Sequence, residues 1–162
     1  MNAVARFVDV TDYPIAEVDC GESAAAAFTV FVRHRVPLFT DETVVRKFEG
    51  ILLREAKQSR CEVPVYVFMP NRCHLLLQGK GGQAGLVKTI RGFRLEAGYW
   101  LSRIQCDAEW RENHDAGNRS IQEEIAKYAR TMLDAPVRMG IVANWKQYRY
   151  TGSTLYRLET WQ

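Results

Sequence analysis

The spacing of apolar and polar positions changes character several times along the chain. Residues 65–80, VYVFMPNRCHLLLQGK, carry apolar runs at Val65–Met69 and Leu75–Leu77 around a polar turn of Pro70, Asn71 and Arg72. Pro and Asn supply turn geometry, so the pattern predicts two buried strands, Cys61–Met69 and Cys73–Gln78, joined tightly. Strand side chains alternate faces, which sends Arg72 and His74 to one side and Cys73 to the other. Ala24–Arg33 places Phe28, Val30 and Val32 on one face and Thr29, Phe31 and Arg33 on the other. Its TVFV segment favours a strand, although the alanines before it also suit a helix.

Three segments show helical spacing instead. Over 41–58, Val44, Phe48, Ile51 and Leu52 recur on one face, with Thr40 or Asp41 as N-cap and Gly50 as the one poor helix former. Over 84–104, Leu86, Ile90, Phe93, Ala97, Trp100, Leu101 and Ile104 share a face, and Lys88, Arg91 and Arg94 form a basic stripe on the other side. Ser120-Ile121-Gln122-Glu123 matches a capping box. It opens a helix with Ile121, Ile125, Tyr128, Ala129 and Met132 on its apolar side, which Pro136 is expected to end. Residues 34–39, 79–85 and 105–119 read as connections, and 1–23 as an acidic arm. The aromatic tail, with Trp145, Tyr148, Tyr150, Tyr156 and Trp161, reads as a short segment that covers the core. The order predicts an α+β fold, a ferredoxin-like antiparallel sheet with helices packed on one face.

Length and composition fit one domain spanning 1–162, with an N-terminal arm (1–23) and a C-terminal extension (135–162). The N-terminus lacks a basic-then-apolar leader, and no apolar run is long enough to cross a bilayer, so a cytoplasmic location without membrane contact is expected. Cys20, Cys61, Cys73 and Cys106 never form a CxxC pair and read as buried thiols. A net charge of +3 is too small to imply nucleic-acid binding by itself, but its distribution is uneven. Residues 7–22 hold Asp9, Asp12, Glu17, Asp19 and Glu22 without a Lys or Arg, whereas 85–105 holds Lys88, Arg91, Arg94 and Arg103 against Glu96 alone.

The segment MPNRCHLLL resembles the "MPNHxHLL" strand turn of the single-tyrosine HUH transposases, particularly the REP-associated tyrosine transposases. The likeness extends over most of the chain. FTVFVRHRVPLFTDE is similar to that family's first strand and following helix start, AEWRENHD (108–115) to its "lWq..fhD" segment, and APVRMGIVANWKQYRYTGS (135–153) to its "NPVRAGLV…dYpySGS". The resemblance implies an HUH endonuclease-like fold and an enzyme that cuts one DNA strand. Two histidines and a polar side chain would hold Mg2+ or Mn2+ to polarise the scissile phosphate. A helix tyrosine would attack it and remain attached to the DNA. The usual partner is single-stranded DNA folded as a hairpin, such as a palindromic repeat.

Carried over position by position, most of that chemistry is replaced. His74 matches the second histidine, but Arg72, a permanent cation that ligates no metal, stands at the first. The tyrosine position falls on Thr131 and its polar partner on Ala135. Tyr128, one turn before Thr131, either belongs to the apolar face or substitutes as the nucleophile. His34 and His114 are loop histidines that could replace the lost ligand. Arg72 either reflects drift after activity was lost or grips phosphate directly, together with Arg33, Arg35, Lys88, Arg91 and Arg94. The resulting expectation is a transposase-like protein that binds single-stranded or hairpin DNA and does not cleave it, with His74 as a vestigial ligand. The alternatives are an active transposase or nickase using Tyr128 and Mg2+ or Mn2+, and a repurposed protein-interaction domain.

Overall fold

The computed structural model describes residues 6–7, 24–80, 83–106, 108–113 and 121–161. Strand β1 (Arg6–Phe7) is followed by β2 (Ala24–Val32), helix α1 (Glu42–Gln58), the β3–β4 hairpin (Cys61–Met69 and Arg72–Gly79) and α2 (Gln83–Arg103). Then come β5 (Ala108–Asn113), α3 (Ile121–Arg138) and the two-residue β6 (Thr151–Gly152). The four longer strands lie in the order β5-β2-β4-β3, all antiparallel. This is the ferredoxin-like arrangement that the sequence predicts. Strand β1 runs parallel to the start of β2, and β6 extends the sheet beyond β3. The rest of the 1–23 arm, including Cys20, lies outside the described residues, as do His114 and Ser120 of the expected capping box.

Alternation along the strands builds two cores. Phe28, Val30, Tyr66, Phe68, Cys73 and Leu75 meet Phe48, Leu52, Ile90 and Phe93 of α1 and α2 on one face. Ala25, Ala27, Val65, Val67, Met69 and Leu76 meet Ile125, Ala129, Met132 and Leu133 of α3 on the other. The two crossover helices thus share a face as expected, whereas α3 covers the opposite one, so the layering is helix–sheet–helix rather than one-sided. This also explains the alanine run of β2. With helices on both sides, small residues let α3 approach the centre of the sheet, and Ala25, Ala26 and Ala27 are fully buried in a strand rather than a helix. Phe48 is the hub of the first core, with edge-on contacts to Phe39, Phe93 and Trp100 at centroid distances of 5.1, 6.4 and 5.3 Å. Such pairs contribute roughly 0.5–1.5 kcal/mol each beyond area burial.

Three local expectations change. The stretch 105–119 is not all loop, because 108–113 forms β5 along the outer edge of β2. Its AEWREN sequence has little apolar alternation, and only the exposed ladder of β2 makes it a strand. Pro136 does not end α3, which runs on to Arg138. Proline removes one N–H and tolerates the end of a helix far better than its middle, and the Pro136 carbonyl still accepts from the Ile141 N–H at 2.9 Å. Finally, α2 begins at Gln83, inside the stretch expected to be a flexible connection.

The C-terminal segment straps the free edge of β3. The Phe68 N–H donates to the Tyr150 carbonyl at 2.9 Å, and the Thr154 N–H to the Val63 carbonyl at 2.9 Å. Thr154 Oγ1 accepts from the Val63 N–H at 2.7 Å, and the Tyr148 hydroxyl donates to the Phe68 carbonyl. Pro64 sits where the β3–β4 register shifts between Glu62 and Val65, a place where its missing N–H removes little from the ladder.

Two glycines should respond oppositely to alanine. Gly50 opens on empty space in α1, and Gly50→Ala should stabilise the protein by up to about 1 kcal/mol in urea denaturation. At Gly85 a Cβ would lie 2.3 Å from the Ser59 carbonyl oxygen, where α2 starts against the end of α1. Gly85→Ala should therefore destabilise by roughly 1–3 kcal/mol despite its better helix propensity.

Candidate nucleic-acid interface

The site lies where the β3–β4 turn meets the end of β2. The Val32 N–H donates to the Asn71 carbonyl at 3.0 Å and the Phe39 N–H to the Pro70 carbonyl at 2.9 Å. These bonds tie the turn to the segment after β2, so Arg33–Arg35 and Arg72 are held beside each other. His34 and Arg35 have φ of 60° and 55°, a left-handed pair that non-glycine residues adopt at a cost. The bend brings the Arg35 guanidinium over the Phe31 ring at 3.9 Å, with Arg72 against the same ring at 5.1 Å. Arg72 Nε donates to Asn71 Oδ1 at 3.0 Å. Among the described residues no carboxylate pairs with Arg72 or Arg35. Burial first, and the nearby Arg35 charge second, lower the pKa of the Arg72 guanidinium.

His74 follows on the same face of β4, opposite Thr29 of β2 and Val67 of β3. Its Nδ1 and the Thr29 hydroxyl are hydrogen-bonded at 3.0 Å. Burial, then the charges of Arg72 and Arg138, push the imidazole pKa down to about 4. Arg138, from the last turn of α3, is a neighbour that sequence reading did not single out, although it lies inside the quoted APVRMG motif. Its other partner is Asp134, one turn back at 3.4 Å. Thr29 and Phe31 were also missed as site residues. Their signal was available: both share the strand face that the alternation assigns to Arg33.

The other sequence candidates separate. Thr131 is exposed and its hydroxyl donates to the Lys127 carbonyl at 3.0 Å, an internal helix bond. Ala135 is 4% exposed, so its methyl fills the α3-side core. Tyr128 lies against that same core with its hydroxyl buried. His34 is exposed in the 3-10 turn Arg33–Arg35, and Cys73 is buried on the opposite face of β4, where burial pushes its thiol pKa well up. Lys88, Arg91 and Arg94 belong to α2, which packs on the other face of the sheet, and Arg94 is partly buried rather than part of an open stripe.

A REP-associated tyrosine transposase bound to a REP hairpin superposes on this architecture with a TM-score of 0.55 at 13% identity, covering 86% of this chain and 81% of its own. The chain has the fold of that transposase. A candidate transposase from Deinococcus radiodurans R1 aligns with a TM-score of 0.41 at 15% identity, over 72% of this chain and 95% of its own. No protein-family profile and no curated protein sequence matches the chain.

Within this transposase fold, the donor set at His74 does not fit a divalent cation. The charges of Arg72 and Arg138 act on the one imidazole present, and among the described residues no three His, Cys, Asp or Glu side chains gather as a metal cradle. The same arrangement suits an anion, because guanidinium forks match phosphate oxygens and stay charged at any physiological pH. Among the described residues no helix is long and apolar enough to cross a membrane.

The buried imidazole sets a pH dependence. An unfolded chain protonates His74 near its usual 6.5, whereas the folded one holds off until about 4, so acid favours unfolding across that window. This contribution is fully present above pH 6.5 and is lost as pH falls to about 4, amounting to roughly 3 kcal/mol at most. In urea denaturation at each pH, His74→Gln should flatten this part of the stability profile relative to the parent protein.

Proposed function

We propose that the protein binds DNA that is single-stranded or folded as a hairpin, and that it does so without cutting the strand. The carrying observation is the cluster of Arg35, Arg72 and Arg138 about Phe31 and His74, with no described carboxylate on Arg35 or Arg72. Arg72 takes one phosphate as a bidentate donor, and Arg33 and Arg35 follow the backbone along the turn after β2. Phe31 holds two of the guanidinium planes in place before DNA arrives, which reduces the entropy lost on binding. Neutral His74 offers a hydrogen bond and no competing charge. The fold shared with a transposase bound to a REP hairpin supports DNA as the partner class.

Strand cleavage lacks its chemical groups. An imidazole beside two guanidiniums does not recruit the metal, and the Thr131 hydroxyl, bonded to the helix carbonyl, has a far higher pKa than a phenol. Tyr128 would need to leave the α3-side core to reach a phosphate. The α2 basic residues lie on the opposite face, so a strand seated on Arg72 does not reach them directly.

Hairpin oligonucleotide binding should therefore weaken steeply with salt, and Arg72→Ala should weaken it at every sequence while lowering the log–log salt slope by about one. Arg72→Lys should restore only part of the affinity, because it keeps the charge and loses the fork. No retention at low salt, or an Arg72→Ala variant that binds like the parent, overturns the proposal. Incubation with Mn2+ and hairpin DNA should yield no covalent adduct, and an adduct abolished by Tyr128→Phe would refute the cleavage-free part.

A further inference from the structure

At the end of the β3–β4 hairpin far from Arg72, the surface opens into a cavity of about 460 Å³. Leu53, Ala56 and Cys61 form its apolar part, and Lys57, Arg60 and Lys80 bring three cations to it. Among the described residues that line it, Glu62 is the one carboxylate, and it is already engaged. Lys80 Nζ lies 2.5 Å from its Oε1, and the Thr154 hydroxyl donates to its Oε2 at 2.5 Å. Burial pulls the Glu62 pKa upward, but these two bonds and the Lys80 charge outweigh it and hold the group below its usual value. Neither Lys57 nor Arg60 has a carboxylate partner among the described residues. Three cations against one carboxylate leave two positive charges at the cavity.

The backbone at Arg60 is a second, independent observation. After α1 ends, the Ser59 N–H donates to the Glu55 carbonyl at 3.1 Å and the Arg60 N–H to the Lys57 carbonyl at 3.3 Å. Arg60 then takes a φ of 55°, the left-handed cap position that glycine fills at the least cost. That conformation gains nothing from a side chain, so what the arginine contributes there is its guanidinium at the cavity.

We infer that this cavity binds a small phosphate monoester with an apolar body. Its head lies on Lys57, Arg60 and Lys80, which keeps N–H donors beyond its bond to Glu62, and its body lies against Leu53, Ala56 and Cys61. A monoester carries a charge of roughly −1.5 to −2 at neutral pH and so matches the unbalanced pair of positive charges. A phosphodiester link of DNA carries about half of that. The cavity volume falls among small-molecule pockets, roughly 300–1,000 Å³, and its apolar part favours an organic phosphate over the bare ion. The inference does not rest on the DNA-binding reading. Cys61 pairs with Gly79 and Met69 with Arg72, so the cavity and the Arg72 interface occupy opposite ends of the hairpin.

Calorimetric titration of the full chain at low salt tests it with three probes: phenyl phosphate, inorganic phosphate and methyl phenyl phosphate, a diester. Phenyl phosphate should bind about tenfold more tightly than either of the others. Lys57→Ala and Arg60→Gly should each weaken it by about tenfold or more, whereas Arg72→Ala should leave it unchanged. Arg60→Gly also separates binding from folding, because glycine suits the backbone there and the variant should be at least as stable in urea as the parent. Three results overturn the site: no binding of phenyl phosphate, an Arg60→Gly variant that binds it like the parent, or loss of binding in Arg72→Ala instead. A diester or inorganic phosphate that binds as tightly as phenyl phosphate overturns the assignment to an apolar monoester.

Discussion

Strand β4 has no solvent face along most of its length. Cys73, Leu75 and Leu77 are buried against α1 and α2, and Leu76 against α3, while β2 and β3 fill both of its ladder edges. This two-sided burial is the constraint on which the remaining structure depends. It demands small residues on β2, apolar residues of both parities on β3, and a third helix on the face that the ferredoxin-like crossovers leave open. It also gives the tail its task. Tyr148 reaches both cores, and the backbone from Tyr150 to Thr154 satisfies the outer groups of β3 that would otherwise template a foreign strand.

The candidate interface begins where that burial ends. At the turn end of β4 the α3-facing positions become Arg72 and His74, and α3 is finishing there, so its last turn contributes Arg138. Burial and the charges of Arg72 and Arg138 both disfavour protonation of the His74 imidazole. Ala135 fills the core below the site, Thr131 bonds its hydroxyl to the helix carbonyl of Lys127, and Arg72 lies against the Phe31 ring. A neighbouring groove places Trp145 and Trp161 beside Arg138.

Much of this was legible in the residues alone. Period-two spacing placed Arg72 and His74 together and Cys73 behind them, and the 3.6-residue spacing located α1, α2 and the apolar face of α3. The Asp41 cap appears as expected, accepting from the Thr43 N–H at 2.8 Å. The turn Pro70-Asn71 was readable because its residues carry their geometry with them. Each of these properties is local, set by the side chain, its immediate neighbours and the handedness of the backbone.

What the sequence determined, then, was the kind of each strong element and which of its side chains point together. The tertiary structure alone decided that α3 lies across the sheet from α1 and α2, that AEWREN becomes the fourth ferredoxin-like strand, and that Arg138 joins His74 from 64 residues away in the chain. It also split the basic residues into two surfaces, with Arg33, Arg35 and Arg72 on one side and Lys88, Arg91 and Arg94 on the other. The physical reason is that periodicity specifies a face but not the partner that will cover it. A weak strand is made by the ladder it completes, and a charge takes its meaning from groups that only folding brings within a few ångströms.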